Sequence, residues 1–168
     1  KKIINKIGNL SIKLFNKNRI ATVIKHIPGH GLSKKDSHLS LPYIDKKLSY
    51  LEKNDFSLFK NKKSLFAMTA HIVYISIDKR DCITLSKKGI DYIRHKIGFK
   101  NLIISDDISM KALQYSFEEN VQKAYRAGCN LVLHCNANMS EMIKLAKISP
   151  KIDKLIIKKT SEFYKLLS

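Results

Sequence analysis

A chain of 168 residues with 44% hydrophobic side chains can fill the core of one globular domain and is too short for an array of them. Its formal net charge of +18, from 32 Lys+Arg against 14 Asp+Glu, would attract phosphate backbones or anionic surfaces, so a basic α/β module for nucleic acid or anionic polymers is one reading. Against it, the excess is lysine spread from Lys1 to Lys165, and arginine occurs only as Arg19, Arg80, Arg94 and Arg126, which excludes an arginine-based groove reader and favours compositional drift.

In chain order, Ile3 to Phe15 carries apolar residues at helical spacing, and Arg19 to Ile24 is a β-branched run ending at Lys25. His26 to Pro42 holds two prolines and two glycines among polar residues and reads as a long loop. Ile44 to Phe59 is expected to be helical, Leu65 to Thr69 a strand, and Ala70 to Thr84 another long connection. Ser86 opens a helix that Gly98 stops near Ile97. Asn101 to Ile104 reads as a strand, Ser109 to Ala127 as mainly helix ended by Gly128, and Asn130 to His134 as a strand. Helical patterns follow from Ser140 to Lys147 and from Asp153 to Leu167.

Strand-then-helix repeats imply a parallel sheet covered by helices, as an open sheet or as half of an eight-stranded barrel. Periodicity does not choose between them. Both architectures put active residues just past the C-terminal ends of strands. Those positions hold Lys25-His26, Thr69-Ala70-His71, Ser105-Asp106-Asp107 and His134, a density of titratable groups that favours an enzyme over a passive scaffold.

The cysteines, Cys82, Cys129 and Cys135, are odd in number and lack C-x-x-C spacing, so no disulfide framework or zinc site is expected, and a cytoplasmic, reducing compartment fits. The sequence has no apolar run of about 20 residues and no signal-peptide profile at its start, so no membrane contact is expected. It opens without methionine inside a helical pattern, as expected of part of a longer protein.

Several strings together carry a more specific signal: KHIPGHG at 25–31, DSH at 36–38 with LP at 41–42, AMTAHIVY at 67–74, TLS at 84–86, IISDDISMKAL at 103–113 and AGCNLVL at 127–133. In order and spacing they resemble bacterial family 3 β-N-acetylhexosaminidases of peptidoglycan recycling. The resemblance implies a (β/α)₈ TIM barrel, with residues 1–168 its C-terminal half, about four strand-helix units of the catalytic domain. It also implies hydrolysis of terminal β-linked N-acetylglucosamine from muropeptide sugars by a retaining mechanism, with no metal or organic cofactor.

The same resemblance assigns the residues. Asp106, one residue past the apolar run Leu102 to Ile104, would be the nucleophile, a role its strand-end carboxylate suits on its own. The bland reading, a cap for the following helix, falls to Asp107 or Ser109. His38 would be the general acid/base, with Asp36 two residues earlier on the same side of an extended segment to stabilise its imidazolium. Lys25 and His26 would bind sugar hydroxyls. His30 and His71 either line the site or support its loop, and His134 is read as structural. Two departures stand out. Leu32-Ser33 replaces the usual D-T after the GHG string, which implies lowered activity, and the sugar-gripping Asp and Arg residues of the family's first four strands have no counterpart. The chain is thus expected to need a separate N-terminal half-barrel, or to be an inactive remnant.

Overall fold

The computed structural model describes residues 1–33 and 40–167. The first helix, α1 (Lys2–Lys17), closes where the Asn18 amide reaches the Leu14 and Phe15 carbonyls and Arg19 turns to φ 59°. The Ile20 amide still bonds Phe15 O at 3.0 Å, so residues 18–22 reverse the chain, and strand β1 spans Val23–Ile27, later than the β-branched run suggests.

There follow β2 (Tyr43–Ile44), α2 (Leu48–Asn54) with a 3₁₀ turn at Phe56–Phe59, β3 (Phe66–Thr69) and β4 (Val73–Tyr74). A second 3₁₀ turn at Ile83–Leu85 leads into α3 (Lys87–Tyr92), whose continuation Ile93–Ile97 widens to π-type bonding and stops at Gly98, φ 83°. Ser86 caps α3 by accepting from the Gly89 amide at 3.0 Å. The remaining elements are β5 (Leu102–Asp107), α4 (Phe117–Ala127), β6 (Leu131–Leu133), α5 (Met139–Ile148) and α6 (Lys154–Leu167).

The helix expected from Ser109 starts only at Phe117. Ser116 and Glu119 form a reciprocal capping box there, worth about 1 kcal/mol, which fixes the start of the helix. Upstream, the Asp107 carboxylate accepts from both Ser109 N and Ser109 Oγ and so folds residues 107–109 into a turn.

Four strands form one parallel sheet in the order β1-β3-β5-β6, and β2 and β4 pair separately, also in parallel, to tie the two long loops together. Sheet order follows chain order without reversal. That distinguishes a barrel segment from a doubly wound sheet, whose strand order reverses at a switch point. Cross-strand partners Ala67 and Ile103 are fully buried. They belong to a core with Ile90, Ile93, Val121, Ala124 and Cys129, drawn from α3, α4 and their flanks. Phe66 and Leu102 sit on the opposite, inner face, where Phe163 of α6 meets Phe66 edge-on with ring centroids 5.6 Å apart.

The outer edges of β1 and β6 have no strand partner among the described residues. Beside the first, α1 turns an apolar stripe outward, with Ile3 72% and Ile7 58% exposed. Among the described residues no helix is long and apolar enough to cross a membrane.

Candidate functional site

Two irregularities in the sheet aim the residues at its C-terminal end. Between its pairings Ile24↔Ala67 and Ile27↔Thr69, β1 advances one residue more than β3, and the surplus falls at Lys25-His26. Between Ile104↔Leu131 and Asp107↔Leu133, β5 likewise gains a residue on β6, at Ser105-Asp106. A bulge redirects a side chain that regular pleating would commit to one face. Both pairs of sequence-predicted residues are therefore placed by bulges rather than by loops, and β5 runs on to include Asp106 and Asp107 instead of ending at Ile104.

The bulges bring His26 and Asp106 together, with His26 Nε2 3.7 Å from Asp106 Oδ2. Asp106 Oδ1 accepts the Asp107 amide at 2.9 Å, which fixes the carboxylate and leaves Oδ2 turned toward His26. Burial lowers the His26 pKa, and His30, Lys25 and His71 lower it further, while Asp106 opposes them. His26 is accordingly a neutral imidazole near pH 7, able to donate or accept a hydrogen bond with a hydroxyl. Lys25 is exposed next to it.

Asp107 is occupied differently. Its Oδ1 accepts from Ser109 N (3.1 Å), Ser109 Oγ (2.8 Å) and Cys135 N (3.1 Å), so it pins the turn after β5 to the end of β6. Of the two adjacent carboxylates, Asp107 is the structural one, and the helix-capping alternative for Asp106 does not arise. His134 Nε2 donates to the Glu141 carboxylate at 2.7 Å under the edge of Phe117, which is a supporting position. Asp36 and His38 lie outside the described residues.

A residue absent from the sequence reading also shapes the site. Asp55, at the end of α2, accepts the Gly31 amide and lies by His30, whose ring tilts against His26 at 5.2 Å. Burial raises the Asp55 pKa, and its Oδ2 is buried without a hydrogen-bond partner among the described residues. A Cβ at Gly29 would fall 2.4 Å from that carboxyl group, so Gly29 is what allows the loop to lie on Asp55. Tyr74 Oη completes the anchor by donating to Gly29 O at 2.9 Å. The only sequence hint is an acidic residue set between Leu51 and Phe56, both fully buried. We expect Gly29→Ala to lower stability by ~1–3 kcal/mol, since the carboxylate must move off the loop. A double cycle with Asp55→Ala checks this: the paired change should cost less than the sum of the two single ones.

Lys25, His26, His30 and Asp55 line one wall of a cleft of about 420 Å³ beneath Ile4, Gly8 and Ile12 of α1. Asp106 is not among the residues that line that cleft. His26 links the two: it lines the cleft and its Nε2 lies 3.7 Å from Asp106 Oδ2.

The profile of the glycosyl hydrolase family 3 N terminal domain matches residues 1–162. The chain belongs to glycosyl hydrolase family 3. A β-hexosaminidase of Nitrosomonas eutropha is 34% identical over 122 residues, 70% of this chain and 35% of the relative. One from Actinobacillus pleuropneumoniae is 36% identical over 128 residues, again 70% of this chain and 36% of the relative. Among solved structures, the β-N-acetylglucosaminidase of Thermotoga maritima superposes with a TM-score of 0.76 at 32% identity, covering 99% of this chain and 39% of that one. A family 3 β-N-acetylglucosaminidase from a Paenibacillus species gives a TM-score of 0.84 over 98% of this chain at 23% identity, a likeness of fold. The family 3 chain described here spans about a third of the length of the curated relatives it matches.

Proposed function

We propose that residues 1–168 form the nucleophile-bearing part of a cytoplasmic β-N-acetylhexosaminidase that removes non-reducing terminal N-acetylglucosamine from muropeptide sugars, with the remaining β/α units supplied by another half-barrel. The observation that carries this is the geometry of Asp106, with one oxygen held by the Asp107 amide and the other turned to the neutral imidazole of His26. In the first step Asp106 Oδ2 attacks the anomeric carbon while His38, its imidazolium stabilised by Asp36, gives a proton to the departing oxygen. In the second, water attacks the anomeric carbon of the glycosyl ester as His38 takes its proton, the bond to Asp106 Oδ2 breaks to release the carboxylate, and the net anomeric configuration is retained. Lys25 and His26 hold the sugar hydroxyls, and no metal or organic cofactor takes part.

The reading is tested by hydrolysis of a chromogenic N-acetyl-β-glucosaminide, with NMR detection of the β-anomer as first product. An α-anomer would refute a retaining route. In the same assay His38→Ala is expected to slow natural disaccharides by about 10²–10⁴-fold and activated aryl substrates far less, because a good leaving group needs little proton donation. Equal losses on both substrate types would remove His38 from the acid role.

A further inference from the structure

Three fully buried polar residues remain unexplained by the reaction itself: Thr69 at the end of β3, His71 just after it, and Thr84 in the 3₁₀ turn before α3. Burying polar groups in a core is costly unless each finds a partner. Here the partners form a directed chain. The Asp106 amide donates to Thr69 Oγ1 at 3.3 Å, Thr69 Oγ1 and Thr84 Oγ1 are 2.8 Å apart, and Thr84 Oγ1 lies 2.7 Å from His71 Nδ1. His71 Nε2 meets the carbonyl of Asp107 at 3.0 Å.

Chemistry sets the direction of every link. A carbonyl only accepts, so the proton of a neutral His71 is on Nε2 and Nδ1 accepts. Thr84 then gives its proton to Nδ1, its shorter contact, rather than to the Ala70 carbonyl at 3.3 Å. Thr69 gives its own proton to Thr84 and keeps a lone pair for the Asp106 amide. The loop of bonds starts at the amide of Asp106 and returns at the carbonyl of Asp107, so it brackets the dipeptide whose inner amide holds Asp106 Oδ1.

We propose that Thr69, Thr84 and His71 are positioning residues that clamp the Asp106–Asp107 dipeptide from both ends and set the angle at which the Asp106 carboxylate meets its substrate. This rests on Asp106 being the nucleophile. The clamp acts through the backbone, without touching the sugar, so it governs the rate of attack more than the strength of binding. A displaced reacting group costs up to about 10²-fold in rate even when the change lies away from the chemistry.

The test uses the 168-residue chain in an assembly that turns over. Thr69→Val and Thr84→Val keep the shape and lose the hydroxyl. Each is expected to lower kcat by about 10- to 100-fold with KM within about two-fold, and Thr84→Ser and His71→Gln, which restore a donor and an acceptor, should recover most of the loss. A second readout needs no activity: amide exchange at Asp106 should accelerate in Thr69→Val while that at Ile104 is unchanged, and nitrogen NMR should show His71 protonated on Nε2. Unchanged exchange at Asp106, or a His71 proton on Nδ1, overturns the clamp whatever the kinetics. So does an Asp106→Asn variant that is inactive beside Thr69→Val and Thr84→Val variants with wild-type kcat. If Asp106→Asn still turns over while the exchange result holds, the nucleophile assignment falls and the clamp stands as a feature of the fold.

Discussion

Asp106→Ala is expected to lower turnover by at least about 10³-fold while leaving the fold intact, because the reaction loses its attacking atom and the core loses nothing. The Asp106 side chain is 15% exposed at the end of the sheet, and the partners it abandons are the Asp107 amide and the part-exposed His26 ring, which water can reach through the gap left by the carboxylate. Thermal unfolding should therefore move little. A more specific outcome follows from the chemistry: azide entering that gap should rescue cleavage of an activated substrate and give the α-glycosyl azide, since it attacks from the face the carboxylate occupied. Turnover within a few-fold of the unaltered protein, in an assembly verified as active, would take the nucleophile role away from Asp106.

The second large effect concerns the 168-residue polypeptide on its own. Among the described residues its sheet ends in two unpaired parallel edges, β1 and β6, and α1 exposes Ile3, Ile7, Leu10 and Leu14 on one side. Unpaired strand edges recruit other strands, and closing a barrel is the way to remove them. We expect the isolated polypeptide to be oligomeric or partly unfolded and to show no detectable hexosaminidase activity. The same residues joined to, or mixed with, the further β/α units of a full barrel should give a soluble, barrel-sized species together with turnover. Size-exclusion chromatography with light scattering, run beside the chromogenic assay, decides the matter. A monomeric, cooperatively melting and active lone polypeptide would show that the edges are harmless.

The sequence is most legible where side-chain chemistry and backbone conformation coincide. Ser86 and Gly98 bound α3, Gly128 ends α4 with φ 116°, and the runs at Leu65 to Thr69 and Asn130 to His134 match β3 and β6 to within a residue or two. Arg19 to Thr22 misleads, because the Arg19 and Ile20 amides bond back to the last turn of α1, which outweighs β-propensity there and delays the strand to Val23. Asp106 is singled out by its place after an apolar run, but the bulge that places it beside His26 is invisible in the sequence, since a bulge is defined by the count of residues on the neighbouring strand. Asp55 and Thr84 escape notice for the same reason. Their partners, Gly29 for Asp55 and Thr69 and His71 for Thr84, are more than ten residues away in the chain and meet them only after folding.

The contact of Phe163 with Phe66 places α6 against the N-terminal end of the inner face, while Asp106 stands at the other end, about 13 Å further along strands that rise about 3.3 Å per residue. Phe163 thus fills the N-terminal end of this face and leaves the Asp106 end for a ligand. If the proposed reaction runs in a closed barrel, the leaving sugar would depart through the mouth by which the hydrolytic water arrives. On the proposed retaining route, that shared passage would order the two half-reactions, the glycosyl ester waiting until the aglycone has cleared the entrance.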